Sequence, residues 1–224
     1  MSQNLAQNQP VRIDVISDVV CPWCFIGKHR LETALALKPG IEVEVFYRPY
    51  FLNEWVPREG MARVDYLTTK FGSPEKYEGI ARRVGAAAAE EGLVYDSAKM
   101  KRQPNTIDCH RLIRWAGNIG KAPQMKQKLM DFYFTEGADL TDRDTLVKAA
   151  NEVGLNAEEV RAALASDRDV AEITQEAESA KEAGIQGVPF FIFGGKFAVS
   201  GAQSPEYLAA AIERVASGAA DAAE

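Results

Sequence analysis

VRIDVISDVVCPWC, residues 11–24, joins an apolar run to two cysteines that stand three residues apart. The Val and Ile residues of the run predict a short strand over residues 12–17, and Pro22 suits the first position of a helix that follows. Residues three apart share one face of a helix, so the sulfurs of Cys21 and Cys24 can close a small disulfide and reopen it. This stretch therefore predicts a strand followed by a redox-active cysteine pair at a helix start.

The two cysteines are expected to have different roles. Cys21, at the helix start, lies near unpaired backbone N–H groups and the positive end of the helix dipole, which stabilise a thiolate. We predict that Cys21 is the nucleophile and that Cys24 is the resolving thiol. Pro22 and Trp23, between them, are expected to tune the site, and Trp23 to be partly exposed.

An alternative for the cysteine pair is half of a zinc site, completed by Cys109 and either His29 or His110. A structural zinc site usually shows a second paired ligand motif, and this sequence has none. Redox chemistry is therefore preferred, and no metal is predicted. Cys109 lies in an apolar stripe at helical spacing, which predicts a buried core residue, whereas His110 is expected to be solvated or capped.

Turn residues and apolar periodicity predict the remaining elements, working outward from the cysteines. The predicted segments are a helix over 22–38, a strand over 41–50, a helical block over 51–167, a helix ending at Gly184, strands over 189–193 and 196–199 around a two-residue Gly194-Gly195 hairpin turn, and a helix from Ser204-Pro205. A strand–helix–strand unit pairs its strands in parallel, whereas a hairpin pairs them antiparallel. The chain is therefore predicted to be α/β, with a mixed sheet covered by helices.

The composition of the chain restricts the classes of function that it can have. With 224 residues, 46% of them hydrophobic, the chain can bury a sizeable core. The net charge of −6 gives no electrostatic footprint for nucleic acid or for an anionic membrane surface, and no apolar run is long enough to span a membrane. The first twenty residues lack the pattern of a secretory signal and the chain has only three cysteines, so we expect a cytoplasmic protein.

Further motifs connect this chain to a known family. They are Ser17-Asp18 ahead of the cysteine pair, Phe25-Ile26-Gly27-Lys28 behind it, Pro104-Asn105-Thr106, Gly187-Val188-Pro189-Phe190-Phe191 and Ser200-Gly201-Ala202-Gln203. With them the chain resembles the DsbA-like branch of the thioredoxin superfamily, and within it the cytoplasmic FrnE type. Cys109 departs from this pattern, since a small residue such as Ala is expected there.

The resemblance implies a thioredoxin fold, a mixed sheet flanked by helices, that is interrupted by an inserted all-helical domain. Residues 10–52 and 168–217 are expected to form the thioredoxin-like domain, and residues 53–167 the helical insertion. Residues 1–9 and 218–224 are expected to be flexible termini.

The resemblance also implies an activity, thiol-disulfide oxidoreduction or isomerisation on protein or small-molecule substrates, without a resident cofactor. It implies a cis Pro189 beside the cysteine pair, with the backbone of Val188 offered to an extended substrate. Two alternatives stay open. One is a glutathione-dependent isomerase or transferase of the kappa-class or 2-hydroxychromene-2-carboxylate isomerase type, with glutathione as co-substrate. The other is a redox-independent peptide-binding holdase.

Overall fold

The computed structural model describes residues 9–218 of the chain. The expected flexible termini, 1–9 and 218–224, lie outside the described residues except at Gln9 and Gly218. In chain order the elements are β1 Val11–Ser17, α1 Pro22–Ala36, β2 Val43–Pro49, β3 Met61–Ala62, α2 Arg63–Phe71, α3 Pro74–Glu90, β4 Arg102–Gln103, α4 Ile107–Gly117, α5 Ala122–Asp131, α6 Arg143–Val153, α7 Ala157–Leu164, α8 Val170–Glu182, β5 Phe190–Phe193, β6 Phe197–Ser200 and α9 Pro205–Ala216. A π-helical turn over Phe132–Glu136 continues α5.

The main sheet has the strand order β2-β1-β5-β6. β1 and β2 are parallel, with Val11 opposite Val43 and Ser17 opposite Pro49. β5 runs antiparallel to β1 and to β6. A parallel pair needs a crossover, and α1 supplies it between β1 and β2. The predicted mixed sheet flanked by helices is confirmed.

Helices cover both faces of this sheet. On one face α1 and α9 bury Leu31 and Leu208 in a cluster with Ile13, Phe191 and Phe193. On the other face Ile16 of β1 packs with residues in and around α8. Val15 and Ile16 point to opposite faces of the sheet and are both buried, so the end of β1 that leads to Cys21 is covered on both sides, whereas Arg12 near its start is exposed.

The segment between β2 and α8 is mostly helical, as expected, but it also contains two short strands that were not predicted. Met61–Ala62 and Arg102–Gln103 form a short antiparallel pair. The prediction of an all-helical insertion is therefore wrong in this detail. Two-residue strands are too short to show an alternating pattern, so the sequence carried no periodic signal for them.

The hairpin between β5 and β6 differs from the prediction in its loop. Phe193 pairs with Phe197, so the loop has three residues, Gly194, Gly195 and Lys196, and not two. Both glycines have positive φ, 59° and 73°. Glycine adopts this backbone region without steric cost, which explains the Gly-Gly pair in the longer turn.

The start of α1 packs directly against the helical segment. Cys21, Cys24 and Phe25 belong to the same buried cluster as Cys109 of α4 and Leu129 of α5. The cysteine pair therefore lies where the sheet-bearing part and the helical segment share a core. The predicted boundaries of the two domains stay a prediction.

Candidate active site

Cys21 is the N-cap residue of α1, as its position before Pro22 predicts. Its backbone is extended, with φ −88° and ψ 112°, and its Sγ accepts a hydrogen bond from the backbone N–H of Cys24 at 3.3 Å. In the loop before it, the N–H of Cys21 donates a hydrogen bond to the carbonyl oxygen of Asp18 and closes a turn. The sequence thus places the Cys21 sulfur among the free N–H groups of the first helical turn.

The predicted substrate-binding residues lie beside this sulfur. Cys21 Sγ donates to the carbonyl oxygen of Val188 at 3.4 Å. The Val188–Pro189 peptide bond is cis, and Pro189 leads directly into β5. The fold therefore brings Cys21 and Val188, which are 167 positions apart in the chain, into contact.

Gly27 allows α1 to approach this turn closely. A Cβ built on Gly27 would lie 2.9 Å from Pro189 Cγ and 3.4 Å from Phe191 Cζ. A side chain at this position would push the helix and the Val-Pro turn apart. In the sequence Gly27 is only one residue of the motif that carries the family resemblance, and this packing role was not predicted.

The two cysteines and Trp23 are not equally placed. Cys21 and Cys24 are both buried, whereas Trp23 between them keeps 40% of its surface exposed, in agreement with the expectation. Burial is the main cause that raises the pKa of Cys24 well above its usual value, and its contact with Cys21 acts in the same direction. Lys126 opposes this shift because its positive charge favours a Cys24 thiolate.

Cys109 lies in the core, as its apolar stripe predicts, with none of its surface exposed. Burial, and to a smaller extent the nearby Asp108 and Asp18, raise the pKa of its thiol well above the ordinary range. Cys109 is therefore held as a neutral thiol.

His110 does not lie where the sequence analysis placed it. It was expected to be solvated or capped, yet it is buried, with its ring edge-on to Phe51 and its Nε2 3.4 Å from Asp18 Oδ1. The other carboxylate oxygen of Asp18 accepts the backbone N–H of Leu52 at 2.9 Å. Helical spacing places His110 beside the apolar stripe of α4 but does not reveal that a second element covers it.

Lys126 of α5 also reaches the site, and nothing in the sequence indicated it. Its side chain is buried, and its Nζ lies 5.2 Å from the centre of the Tyr47 ring. Burial lowers the pKa of Lys126 to about 8, although the nearby Cys24 and Asp18 act in the opposite direction. A lysine in a polar helical sequence normally faces water, so only the tertiary structure reveals this one.

Lys70 of the helical segment interacts electrostatically with Cys21 and packs against aromatic side chains. Lys70 of α2 is close enough to Cys21 and Asp18 for both to raise its pKa, although burial lowers that pKa by more. Lys70 donates to Asn53 Oδ1, which also accepts from Tyr66. Trp55 stacks on Tyr66 with ring centres 5.7 Å apart and stays 43% exposed.

Residues 9–218 contain neither a metal-binding cluster nor a membrane-spanning helix. Within this range no group of three or more His, Cys, Asp or Glu side chains is placed to hold a metal ion. Within the same range no helix has the length and apolar character that crossing a membrane requires. The sheet order and the helix-start cysteine pair beside the Val-Pro turn define a thioredoxin-fold protein.

Comparison with known proteins identifies the family. The sequence model of the DSBA-like thioredoxin domain matches residues 12–213, so this chain belongs to the DsbA-like family of thiol oxidoreductases. In sequence it is similar to the uncharacterized protein YwbO of Bacillus subtilis (strain 168), at 28% identity over 186 residues, which are 82% of this chain and 87% of that protein.

Solved structures agree with this assignment. The probable DsbA oxidoreductase SCO1869 from Streptomyces coelicolor is 34% identical and superposes with a TM-score of 0.83, covering 93% of this chain and 90% of its own. The cytosolic disulfide reductase DsbM from Pseudomonas aeruginosa, solved with GSH, has a TM-score of 0.62 at 16% identity, over 91% of this chain and 98% of its own. At that identity the second match shows the fold alone. The FrnE type stays a prediction.

Proposed function

We propose that this protein exchanges disulfides with thiol or disulfide substrates through the Cys21-Cys24 pair. The observation that carries the proposal is the position of Cys21 Sγ, which accepts the Cys24 N–H at the helix start and lies 3.4 Å from Val188 O. A fixed N–H donor at the reacting sulfur stabilises the negative charge that this atom carries during exchange. The membership of the DsbA-like family supports the same activity.

The proposed reaction has two steps. The Cys21 thiolate attacks a substrate disulfide, so that a Cys21–substrate bond forms while the substrate S–S bond breaks, and the leaving sulfur takes up a proton. Cys24 then loses its proton and attacks Cys21 Sγ, which breaks the mixed disulfide. The substrate leaves reduced and the Cys21–Cys24 pair is oxidised. The reverse sequence oxidises a substrate dithiol.

Val188 and Pro189 are proposed to hold the substrate during these steps. The carbonyl of Val188 already lies within contact distance of Cys21 Sγ. An extended peptide that presents its sulfur to Cys21 would pass alongside this backbone and can pair with it as a strand does. This mode of binding tolerates many side chains and suits a protein substrate.

Reduction of insulin by dithiothreitol tests the roles of the cysteines. Cys21→Ser is expected to abolish the accelerated reduction, and Cys24→Ser to accumulate a mixed disulfide that is visible on non-reducing gels. Cys109→Ser is the matched control and should keep wild-type activity, because Cys109 has no exposed surface and burial raises the pKa of its thiol, which keeps it neutral. Full activity of Cys21→Ser, or no trapped species with Cys24→Ser, would contradict the assignment.

Glutathione is proposed as a small-molecule substrate, on the evidence of Lys70. This exposed lysine is near enough to Cys21 for the two to interact electrostatically, and glutathione carries carboxylates that a cation there would attract. The DsbM structure that shares the fold was solved with GSH, which supports the choice.

A comparison of two disulfides tests the role of Lys70. Lys70→Met should slow reaction with glutathione disulfide about fivefold, consistent with loss of one exposed charge interaction, and leave the rate with uncharged hydroxyethyl disulfide within about twofold. Lys148→Met, an exposed lysine of α6, should change neither rate. An equal loss with both disulfides would show that Lys70 does not recognise charge.

The cysteine variants separate disulfide exchange from the alternative function, a glutathione-dependent isomerase. That alternative requires turnover to persist in Cys24→Ser and to depend strictly on glutathione. The cytoplasmic location expected from the sequence stays a prediction.

A further inference from the structure

The connection between β6 and α9, residues 201–204, lies against the start of β5, and we call it the β6–α9 turn. The N–H of Gly201 donates to the carbonyl oxygen of Pro189 at 2.8 Å and continues the β5–β6 pairing by one step. Proline has no N–H, so this carbonyl is the only backbone hydrogen-bonding group of Pro189. The β6–α9 turn therefore anchors Pro189 and the adjoining Val188, whose carbonyl contacts Cys21.

One side chain outside the β6–α9 turn, Arg30 of α1, completes its hydrogen bonding. The carbonyl of Gly201 already accepts the N–H of Gln203 within the turn. The carbonyl of Ala202 instead accepts Arg30 Nη1 at 2.7 Å. The position of the turn, and of the residues that it anchors, thus depends on a guanidinium group 172 positions away in the chain.

The second partner of Arg30 belongs to the helical segment. Arg30 Nε donates to Glu91 Oε1 at 2.5 Å, and both side chains are mostly buried. Glu91 is the C-cap residue of α3, where the negative end of the helix dipole disfavours a carboxylate, and the last turn of α3 has no basic residue. Arg30 supplies the missing positive charge, and Glu91 in turn fixes the second arm of the guanidinium.

Apolar contacts hold the same junction together. Ile26, one helical turn before Arg30 on the same face of α1, is fully buried with Val84 and Ala88 of α3, and Ala202 packs against this group. Arg30 therefore borders the place where α1, α3 and the β6–α9 turn meet. Its planar guanidinium reaches two acceptors in fixed directions at once, which the single ammonium of a lysine does not reproduce.

Val188, at the other end of these contacts, keeps one backbone group for a substrate. Its carbonyl contacts Cys21 Sγ, and within residues 9–218 no group accepts its N–H. An extended peptide can pair with such a backbone as a strand does, provided that the backbone keeps its direction. A small disulfide has no chain to pair in this way, so the position of Val188 matters for polypeptide substrates in particular.

We propose that Arg30 is a positioning residue for polypeptide substrates, a role that rests on the proposed function. Arg30 holds Ala202 and so fixes the β6–α9 turn. The turn in its place holds Pro189 and orients Val188, so that an extended substrate pairs with this backbone while its sulfur lies at the cysteine pair. Arg30 acts only through the turn and takes no part in making or breaking bonds.

Two mixed disulfides that share one reacting bond test this role. Both join a cysteine sulfur to 2-nitro-5-thiobenzoate. In one probe the cysteine stands in the middle of an uncharged extended heptapeptide, and in the other it is N-acetylcysteine amide. Attack by reduced Cys21 on the cysteine sulfur expels thionitrobenzoate, the better leaving group, and its release is followed at 412 nm. The ratio of the two rates measures what the peptide chain contributes.

Arg30→Gln should slow the reaction with the peptide probe about tenfold, the equivalent of one net hydrogen bond, and leave the N-acetylcysteine probe within about twofold. The loss should appear as a higher half-saturating peptide concentration, because the attack itself does not use Arg30. Arg30→Lys keeps the charge without the planar fork and should recover part of the loss. Arg82→Gln, at an exposed arginine of α3 that pairs with Glu78, is the matched control and should change neither rate.

Glu91→Gln tests the same arrangement with less disturbance of the fold. Glutamine has the same shape and still accepts from Arg30, but the hydrogen bond loses the assistance of the negative charge, so the peptide rate should fall about threefold while the N-acetylcysteine rate stays unchanged. The substitution also removes a carboxylate from the C-terminal end of α3, where it is disfavoured. This variant decides the question even where Arg30→Gln does not fold.

The outcomes distinguish this inference from the proposed function. Variants of Arg30 and Glu91 that slow both probes equally, or that react with the peptide as wild type does, would overturn the role of Arg30 and leave disulfide exchange standing. Equal rates of the two probes with the wild-type protein would do the same. A wild-type protein that releases thionitrobenzoate from neither probe would instead contradict disulfide exchange, and this inference with it.

Discussion

At Lys126 the burial of a positive charge opposes folding at neutral pH. Burial lowers its pKa from 10.5 to about 8. Because the folded-state pKa is depressed, the unfolded chain binds more protons between these two values, and the free energy of unfolding rises with pH through that window. At neutral pH the buried ammonium therefore destabilises the fold.

This opposition gives a stability prediction for Lys126→Met. Methionine fills similar space without a charge, so the variant should be more stable than wild type at pH 7 by on the order of 3 kcal/mol, the free-energy equivalent of the lowered pKa. The advantage should shrink as the pH approaches 10.5. Urea denaturation of both proteins across this range measures the difference, and other titrating groups cancel in it. A variant that is less stable at pH 7, or a difference that is flat with pH, would contradict the assignment of a charged, unpaired lysine.

The residues of the cysteine pair could be placed from sequence because their signals are local. Pro22 fixes the helix start, and the helix start fixes the environment of Cys21. Asp18, His110 and Lys126 lie in three different elements, and only the packing of α4 and α5 against β2 and the α1 start brings them together. No sequence spacing between them could have indicated this.

At the scale of elements, the contact between α1 and the start of β5 brings Cys21 and Val188 together. Gly27 lies at the closest point of this contact, where even one added methyl group would lie 2.9 Å from Pro189 Cγ. The packing of a helix onto a strand thus depends here on the absence of a side chain.

We expect Gly27→Ala to lower the free energy of unfolding by about 1–3 kcal/mol, the usual cost of overpacking a core, even though Ala favours helices more than Gly. It should also slow the reaction of Cys21, because Pro189 must move away from α1. Chemical denaturation and alkylation kinetics measure the two effects. Gly85→Ala in α3 is the matched control: its nearest neighbour is Tyr95 Cδ1 at 3.9 Å, so it should gain up to about 1 kcal/mol. A stabilised Gly27→Ala would show that the contact is loose.

Caps and periodicity explain which elements could be predicted. Ser204 caps α9 by accepting the Tyr207 N–H, and Gly184 follows the end of α8 with φ 83°, each as the sequence indicates. The pair of β3 and β4 was missed because each strand has two residues. The extra residue of the β5–β6 loop was missed because Gly-Gly suits loops of either length.

At the scale of the whole molecule, one buried cluster connects the start of α1 with the helical segment. The sequence predicted the α/β class and the mixed sheet because strand and helix periods differ clearly along the chain. It could not show that the helical segment brings the exposed Lys70 and the buried Lys126 near enough to the cysteine pair for their charges to interact with it. These contacts make the helical segment part of the proposed active site.

The central claim is that Cys21 and Cys24 form one reversible redox pair. Its most direct test is equilibration of the protein in graded mixtures of reduced and oxidised glutathione, followed by acid quenching, alkylation and mass spectrometry. We predict a single two-electron transition, with a slope of about 30 mV per tenfold change in the equilibrium constant. Two thiols, Cys21 and Cys24, should be lost together while Cys109 stays reduced, and Cys109→Ser should show the same transition. A protein that keeps all three thiols, or that carries glutathione on Cys21 while Cys24 stays free, would contradict the claim.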